Sequence, residues 1–121
     1  PSIGRVTSHT PEKTVLYENL IKMMYIHAAQ QRMFGKGIPV HIAIHAFFEP
    51  AKSTSKKNKV KMLSGDINPL KKPDIDNIAK VILDALNGTA YYDDTQVIKL
   101  EVLKSYDDTA RVEVQIKELE E

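Results

Sequence analysis

The sequence predicts an α+β fold in which a mixed or antiparallel sheet packs against two main helices in a single domain. Apolar residues recur at every second position over residues 38–49, 97–106 and 110–118, which is the period of a strand. They recur at every third or fourth position over 11–34 and 74–87, which is the period of a helix. A chain of 121 residues without an internal repeat or linker has the length of one domain with its own core.

The first helix is expected to begin at Thr10-Pro11, because proline is favoured at the first helical position. Its apolar periodicity continues to about Phe34, and the two glycines that follow predict its end. The residues before this helix, 1–10, are polar and irregular in sequence.

The first predicted strand places five apolar side chains on one face, namely Val40, Ile42, Ile44, Ala46 and Phe48. His41 and His45 fall on the opposite face. We interpret them as neutral imidazoles on a half-covered sheet rather than as metal ligands.

Residues 51–72 are predicted to form a long loop, because the segment is rich in lysine, serine, asparagine and glycine. From Lys52 to Lys72 it contains seven lysines and one acidic residue, Asp66. One interpretation is an ordinary solvated surface. The other is an arm that neutralises DNA phosphates through Lys56, Lys57, Lys59, Lys61, Lys71 and Lys72.

Carboxylates stand on both sides of the second predicted helix. Asp74 and Asp76 mark its start, and Asp93-Asp94 follow the residues that predict its end. The helix rises roughly 20 Å at about 1.5 Å per residue, and an extended return spans roughly the same length at about 3.3 Å per residue. We therefore expect Asp94 to lie beside Asp74 and Asp76, with Lys80 on the same helix face as Asp76.

Several carboxylates at one point repel one another, and a hard divalent cation with oxygen ligands would relieve that repulsion. The alternative is that each acid has only a local role. Asp74 would cap the helix, Asp76 would complement the helix dipole, and Asp93-Asp94 would form a turn.

Residues 97–106 and 110–118 are predicted to be joined by a hairpin turn. Asp107-Asp108 are assigned to the surface of that turn rather than to a second acidic site. Cysteine is absent, which excludes disulfides and thiolate metal sites. No apolar run has the length of a membrane span and no signal peptide is visible, so a cytoplasmic protein without a membrane partner is expected.

A set of short motifs follows in order from the start of the second helix. Lys-Pro-Asp-Ile-Asp-Asn at 72–77 is followed by Lys80, by Asp-Ala-Leu-Asn-Gly at 84–88, and by Asp93-Asp94 before Gln96. In this order and spacing the motifs resemble the RusA family of Holliday junction resolvases of bacteria and their phages. The resemblance is densest over residues 72–104.

The resemblance implies roles for individual residues of a RusA-like endonuclease domain that spans residues 1–121. Asp74, Asp76 and Asp94 would be the catalytic, metal-binding carboxylates, and Asp93 a weaker candidate ligand. Lys80 would be the essential basic residue. Family members usually carry an earlier strand and a basic loop, so the N-terminal strand is expected to be missing or shortened here, with Arg5 left as a DNA contact.

The implied activity is a Mg²⁺-dependent endodeoxyribonuclease, with Mn²⁺ as a substitute, that resolves four-way junction DNA by paired nicks in recombination and repair. A homodimer is expected as well, because two opposed strands must be cut and one chain carries one set of carboxylates. Phe47 is a candidate for the dimer surface. Two other functions stay open, namely a metal-dependent nuclease for other branched DNA or RNA, and a non-catalytic nucleic-acid-binding module.

Overall fold

The computed structural model describes Lys22, Tyr25 and residues 32–119. In chain order its elements are β1 (Val40–Phe48), α1 (Lys56–Ser64), α2 (Ile75–Leu86), a 3-10 turn (Asp94–Gln96), β2 (Val97–Tyr106) and β3 (Arg111–Glu118). From Val40 onward, two helices and one mixed sheet confirm the predicted α+β class. Within these residues, no helix combines the length and the apolar character needed to cross a membrane.

β1 is the central strand of the sheet, which has the order β2-β1-β3. It pairs in parallel with β2 and antiparallel with β3. Parallel strands need a long crossover connection, and the segment between β1 and β2 carries both helices.

The predicted hairpin between β2 and β3 is wrong, because β1 lies between these two strands. Their connection passes the end of β1, where the amide of Asp107 donates to the carbonyl of Phe48 at 2.9 Å. The turn residues correctly predicted a reversal of the chain. They contain no information about which strand occupies the space between the two arms.

The core lies between the sheet and α2. The predicted inward face of β1 is confirmed, because its residues from Val40 to Ala46 on that face are buried. Cross-strand pairing adds the buried Val112, Val114 and Ile116 of β3. α2 contributes Ile78, Ile82, Ala85 and Leu86, and Tyr25 joins them from the N-terminal part of the chain.

Within the described residues β2 forms an edge of the sheet, and its pattern departs from the predicted one. The register shifts by one residue between Val40 and His41, a bulge that re-aims the residues near its start. Ile98 and Leu100 are exposed, whereas Val102 packs against the core.

The segment predicted as a loop contains α1. Its helix begins after Ser55, whose hydroxyl accepts from the amide of Asn58 at 3.2 Å. It ends at Gly65, which has a φ of 93° and donates to the carbonyls of Lys61 and Met62. None of its residues is buried, so α1 lacks the apolar stripe by which periodicity detects a helix.

The first predicted helix falls mainly outside the described residues. Lys22 and Tyr25 are helical, but residues 32–34 are not, so the prediction that the helix reaches Phe34 is wrong. The amide of Phe34 donates instead to the carbonyl of Ala90 at 2.9 Å, which ties this backbone to the turn after α2. The expectations for the N-terminal strand and for Arg5 also lie outside the described residues.

Candidate active site

The start of α2 presents two exposed carboxylates. Asp74 is the N-cap residue, and its carbonyl accepts from the amide of Ile78 at 3.0 Å. Its side chain makes no capping hydrogen bond, so the carboxylate is not used to cap the helix. Asp76 lies in the first turn, where the positive end of the helix dipole favours negative charge.

Asp93 is engaged in the turn that it begins. Its carboxylate accepts from the hydroxyl of Thr95 at 2.6 Å and from the amide of the same residue at 3.3 Å. The hydroxyl contact, followed by the amide contact, lowers the pKa of the Asp93 carboxyl below its ordinary value. Asp93 therefore stabilises a local turn, which is the role that the alternative interpretation gave to the acidic pair.

Asp94 has a different environment from that of its neighbour. Its Oδ1 atom accepts a hydrogen bond from the hydroxyl of Tyr91 at 3.0 Å. The Tyr91 side chain is fully buried, and its hydroxyl also lies 3.4 Å from the carbonyl of Leu83 in α2. Burial and the nearby Asp94 carboxylate raise the pKa of Tyr91 far above its ordinary value, which keeps the hydroxyl protonated as a donor.

The chain between α2 and Asp94 does not return in an extended conformation, and that expectation is wrong. The amides of Thr89 and Ala90 both donate to the carbonyl of Leu86, and Gly88 adopts a φ of 76° in the same turn. Through Tyr91, Asp94 consequently lies beside Leu83 in the second half of α2. Leu83 stands about 10 Å along the helix axis from Asp76, at about 1.5 Å per residue.

The carboxylates suit a hard cation chemically, because their oxygen atoms are the ligands that Mg²⁺ prefers. Their placement is less favourable. Over Lys22, Tyr25 and residues 32–119, no group of three or more His, Cys, Asp or Glu residues is arranged to hold a metal ion. A single site formed by Asp74, Asp76 and Asp94, with Asp93 as a fourth member, stays a prediction.

Lys80 lies on the exposed face of α2, one turn beyond Asp76. Its Nζ atom donates to Oδ2 of Asp84 at 2.9 Å, an i,i+4 pair between two exposed side chains. Such surface pairs contribute roughly 0–1 kcal/mol to stability. Moving the ammonium group from Asp84 to a phosphate would therefore destabilise the fold little.

The side chain of Gln96 links the turn at Asp93-Asp94 to backbone that is distant in sequence, at Gly35 and Ile38. Its amide nitrogen donates to the carbonyls of Gly35 and Ile38, at 2.8 and 3.0 Å. Its amide oxygen accepts from the amides of Tyr92 and Asp93, at 2.8 and 3.2 Å. The side chain is buried and every one of these contacts is to backbone, so Gln96 fixes the path of the chain on both sides.

Sequence reasoning did not assign a role to Tyr91, Gln96 or Lys104. The polar Gln96 at the start of an apolar strand was a usable signal, because a buried amide has to find partners. Lys104 gave no such signal in the strand pattern. It donates to the carbonyl of Lys71, and its ammonium group lies 5.3 Å from the centre of the Phe48 ring.

The predicted DNA-binding lysines belong to two exposed segments of the chain. Lys56, Lys57, Lys59 and Lys61 are exposed on α1, which has no acidic residue. Lys71 and Lys72 are exposed immediately before α2.

The two histidines of β1 pair with side chains of the adjacent strand. Nε2 of His41 lies 3.1 Å from a carboxylate oxygen of Glu101, and Nε2 of His45 lies 2.6 Å from the hydroxyl of Ser105. Burial first, opposed by the charge of Glu113, lowers the pKa of His45 below its ordinary value. This agrees with the interpretation of a neutral imidazole.

The surface of β1 that faces away from α2 is also covered by charge. The guanidinium group of Arg111 lies 3.9 Å from the ring centre of Phe47 and forms ion pairs with Asp107 and Glu113. Asp107 is therefore bound in a surface turn, as predicted. Phe47 is not an open apolar surface, which weakens its candidacy for a dimer contact.

Exposed carboxylates at a helix start, a lysine on the same helix and a lysine-rich surface nearby are typical of enzymes that cleave phosphodiester bonds. The family model for endodeoxyribonuclease RusA matches residues 1–117. The chain belongs to this family of crossover junction endodeoxyribonucleases. It is similar to the uncharacterized protein YqaN of Bacillus subtilis strain 168, with 32% identity over 116 residues, 96% of this chain and 82% of that protein.

Proposed function

We propose that the protein is a Mg²⁺-dependent resolvase that cuts four-way junction DNA by paired nicks in DNA recombination and repair. Membership of the RusA family supports the class of reaction. The observation that carries the proposal is the start of α2. There Asp74 and Asp76 are exposed, and the Asp74 carboxylate makes no capping hydrogen bond, directly after a lysine-rich segment.

We assign Asp74, Asp76 and Asp94 as the cation ligands, with Mg²⁺ as the cation and Mn²⁺ as its substitute. Asp93 ranks below Asp94, because Thr95 already occupies its carboxylate. Among the described residues, these carboxylates are not grouped to hold a cation, and like-charge repulsion opposes their convergence unless a cation binds. Holding one cation requires them to come closer, and we propose that cation and DNA together produce that approach.

We propose that the ammonium group of Lys80 contacts the phosphate at which the DNA is cut. An ammonium group beside that phosphate stabilises the negative charge that develops in the transition state. Its pair with Asp84 is exposed and weak, so the side chain can be recruited when DNA binds.

We assign contacts with the phosphates of the DNA backbone to six lysines, namely Lys56, Lys57, Lys59 and Lys61 of α1 together with Lys71 and Lys72. Lysine contacts of this kind neutralise phosphates without reading sequence. Arg5, outside the described residues, is proposed as a further contact.

We also propose a homodimer of one catalytic domain per chain, acting in the cytoplasm, where its DNA substrate lies. Paired nicks in opposed strands need two sites, and each chain carries one set of motifs. A two-fold interface would use the same patch on both chains.

A second candidate is a nucleic-acid-binding module that does not cut, and a third is a metal-dependent nuclease for other branched DNA or RNA. The second is favoured by one observation. Among the described residues, the carboxylates do not form a ready-made metal site.

One experiment separates these functions. A mobile four-way junction, a flap, a branched RNA and a linear DNA duplex are incubated with the protein in Mg²⁺, in Mn²⁺ or in chelator. We expect symmetric nicks in the junction with either metal, and none in the duplex or in chelator. Asp76→Asn should still bind the junction without cutting it. Metal-independent nicks, or equal cutting of all substrates, would refute the proposal, and binding without cutting would support the module.

A further inference from the structure

An open groove lies beside the start of α2. It is lined by the segment 68–72, by Asp74 and Ile75, and by residues 102–104 of β2. Its volume is about 700 Å³, which falls within the roughly 300–1,000 Å³ typical of sites for small ligands. The groove therefore has room for a group of nucleotide size.

Large apolar side chains that are exposed to solvent border the groove. Leu70 is 94% exposed, Leu103 is 58% exposed and Ile75 is 47% exposed. Leu70 is held in this position by its backbone, because the preceding Pro69 is buried and the amide of Leu70 donates to the carbonyl of Asn68 at 2.9 Å. A clustered apolar surface of this kind marks a binding site more often than scattered exposed residues do.

Three lysines share the groove with a single acid, Asp74, and these lysines are Lys71, Lys72 and Lys104. The ammonium group of Lys71 lies 5.5 Å from the centre of the Phe48 ring and 5.7 Å from that of Tyr106. Lys104 is held over the same Phe48 ring and donates to the carbonyl of Lys71. Contacts to aromatic rings therefore hold the charges of Lys71 and Lys104 beside the groove.

A lining that combines exposed apolar side chains with lysines fits one kind of group better than others. A nucleotide has a flat base that packs on apolar side chains and phosphates that attract lysines. A second copy of this chain would bring its own lysines to the same place, which charge repulsion opposes. The charges thus favour nucleic acid as the occupant.

We propose that this groove receives an unstacked base from the branch point of the DNA, while Lys71, Lys72 and Lys104 hold the flanking phosphates. The inference rests on the proposed function and deepens it by naming a determinant of the preference for branched DNA. Because Asp74 borders the same groove, a base held there brings its own strand to the carboxylates. A linear duplex offers no such base unless a pair is first opened.

The test uses a four-way junction with the fluorescent base 2-aminopurine at the branch point, and a matched linear duplex, both in chelator so that no cutting occurs. Wild-type protein should raise the fluorescence of the junction and leave that of the duplex unchanged. The double variant Leu70→Ala/Leu103→Ala should lose this rise. It should also bind the junction about tenfold more weakly, within the range for removing the stacking of one base, with duplex affinity unchanged.

Ile98→Ala is the matched control, because Ile98 is 61% exposed on the same strand but outside the groove. It should behave as wild type, and thermal unfolding of all variants checks that each is folded. An unchanged fluorescence rise in the double variant would overturn the inference while wild-type cutting stays intact. A double variant whose mass in the absence of DNA differs from that of wild type would overturn it too, since the patch would then be a contact between copies. A wild-type protein that binds no DNA would overturn the proposed function together with the inference.

Discussion

Two neighbouring carboxylates, Asp93 and Asp94, have different partners although they are adjacent in the chain. Asp93 accepts two hydrogen bonds from Thr95, and Asp94 accepts one from the buried hydroxyl of Tyr91. The first arrangement closes a turn. The second orients one carboxylate oxygen while the side chain stays exposed to solvent.

Substitution by asparagine should therefore affect activity differently at the two residues. Asp94→Asn removes a charge from the proposed cation site, and we expect cutting of a four-way junction to fall by about 100-fold or more, the size of loss seen when one electrostatic group of an active site is removed. Asp93→Asn keeps an oxygen acceptor for Thr95 and should retain most of the activity, because asparagine caps as well as aspartate. Equal losses in the two variants would contradict this assignment.

Tyr91 offers a second prediction at the scale of one residue. Tyr91→Phe removes a buried hydroxyl that contacts Asp94 and the carbonyl of Leu83. We expect the free energy of unfolding to fall by about 1 kcal/mol, the usual net contribution of one hydrogen bond. Urea denaturation measures it, and Tyr92→Phe is the matched control, since Tyr92 is half exposed and should show no change.

At the scale of elements, the two helices differ in how readily the sequence reveals them. α2 has an apolar face, an acidic start and an asparagine end, and its bounds match the prediction with Asp74 and Asn87 as caps. α1 is fixed by Ser55 and Gly65 at its ends and buries nothing, so hydrophobic periodicity does not detect it. The β2–β3 connection was misassigned for a related reason, since strand pairing depends on distant residues.

The uncompensated positive charge of α1 should make DNA binding depend on salt concentration. Lys57 and Lys61 stand at i,i+4, a like-charge spacing that disfavours a helix, and no acidic residue of α1 offsets it. Replacing Lys56, Lys57 and Lys59 by alanine should weaken junction binding and reduce the slope of log affinity against log salt by about 1 for each phosphate that is no longer neutralised. Lys117→Ala, an exposed lysine on β3, is the control and should leave the slope unchanged. An unchanged slope in the triple variant would show that these lysines only solvate the surface.

At the scale of the whole molecule, the sequence motifs identified the family, and the alternating patterns identified the fold class. They did not predict the position of Asp94 relative to α2. Its position depends on the tight turn after α2, on the burial of Tyr91 and on the hydrogen bonds of Gln96 to Gly35 and Ile38, which are distant in sequence. Motif spacing alone therefore did not predict the path of the chain between α2 and Asp94.

The molecular mass of the protein in solution tests the proposed dimer. Light scattering at micromolar concentration should report about twice the 13.7 kDa of one chain. A dimer places two sites on one junction, so both nicks should appear within a single binding event. A monomer at these concentrations that still makes paired nicks would contradict this arrangement.

The central position of β1 has a consequence for synthesis of the chain. β1 is synthesised before both of the strands that occupy its edges, β2 and β3. Until they leave the ribosome, a strongly apolar strand has two open edges, a known template for aggregation. A chain truncated after residue 90 is accordingly expected to sediment as aggregate under conditions where the full chain stays dispersed, and a dispersed truncated chain would show that earlier residues shield the strand. Synthesis of β2 and β3, rather than formation of either helix, would then determine when the nascent chain is protected from aggregation through β1.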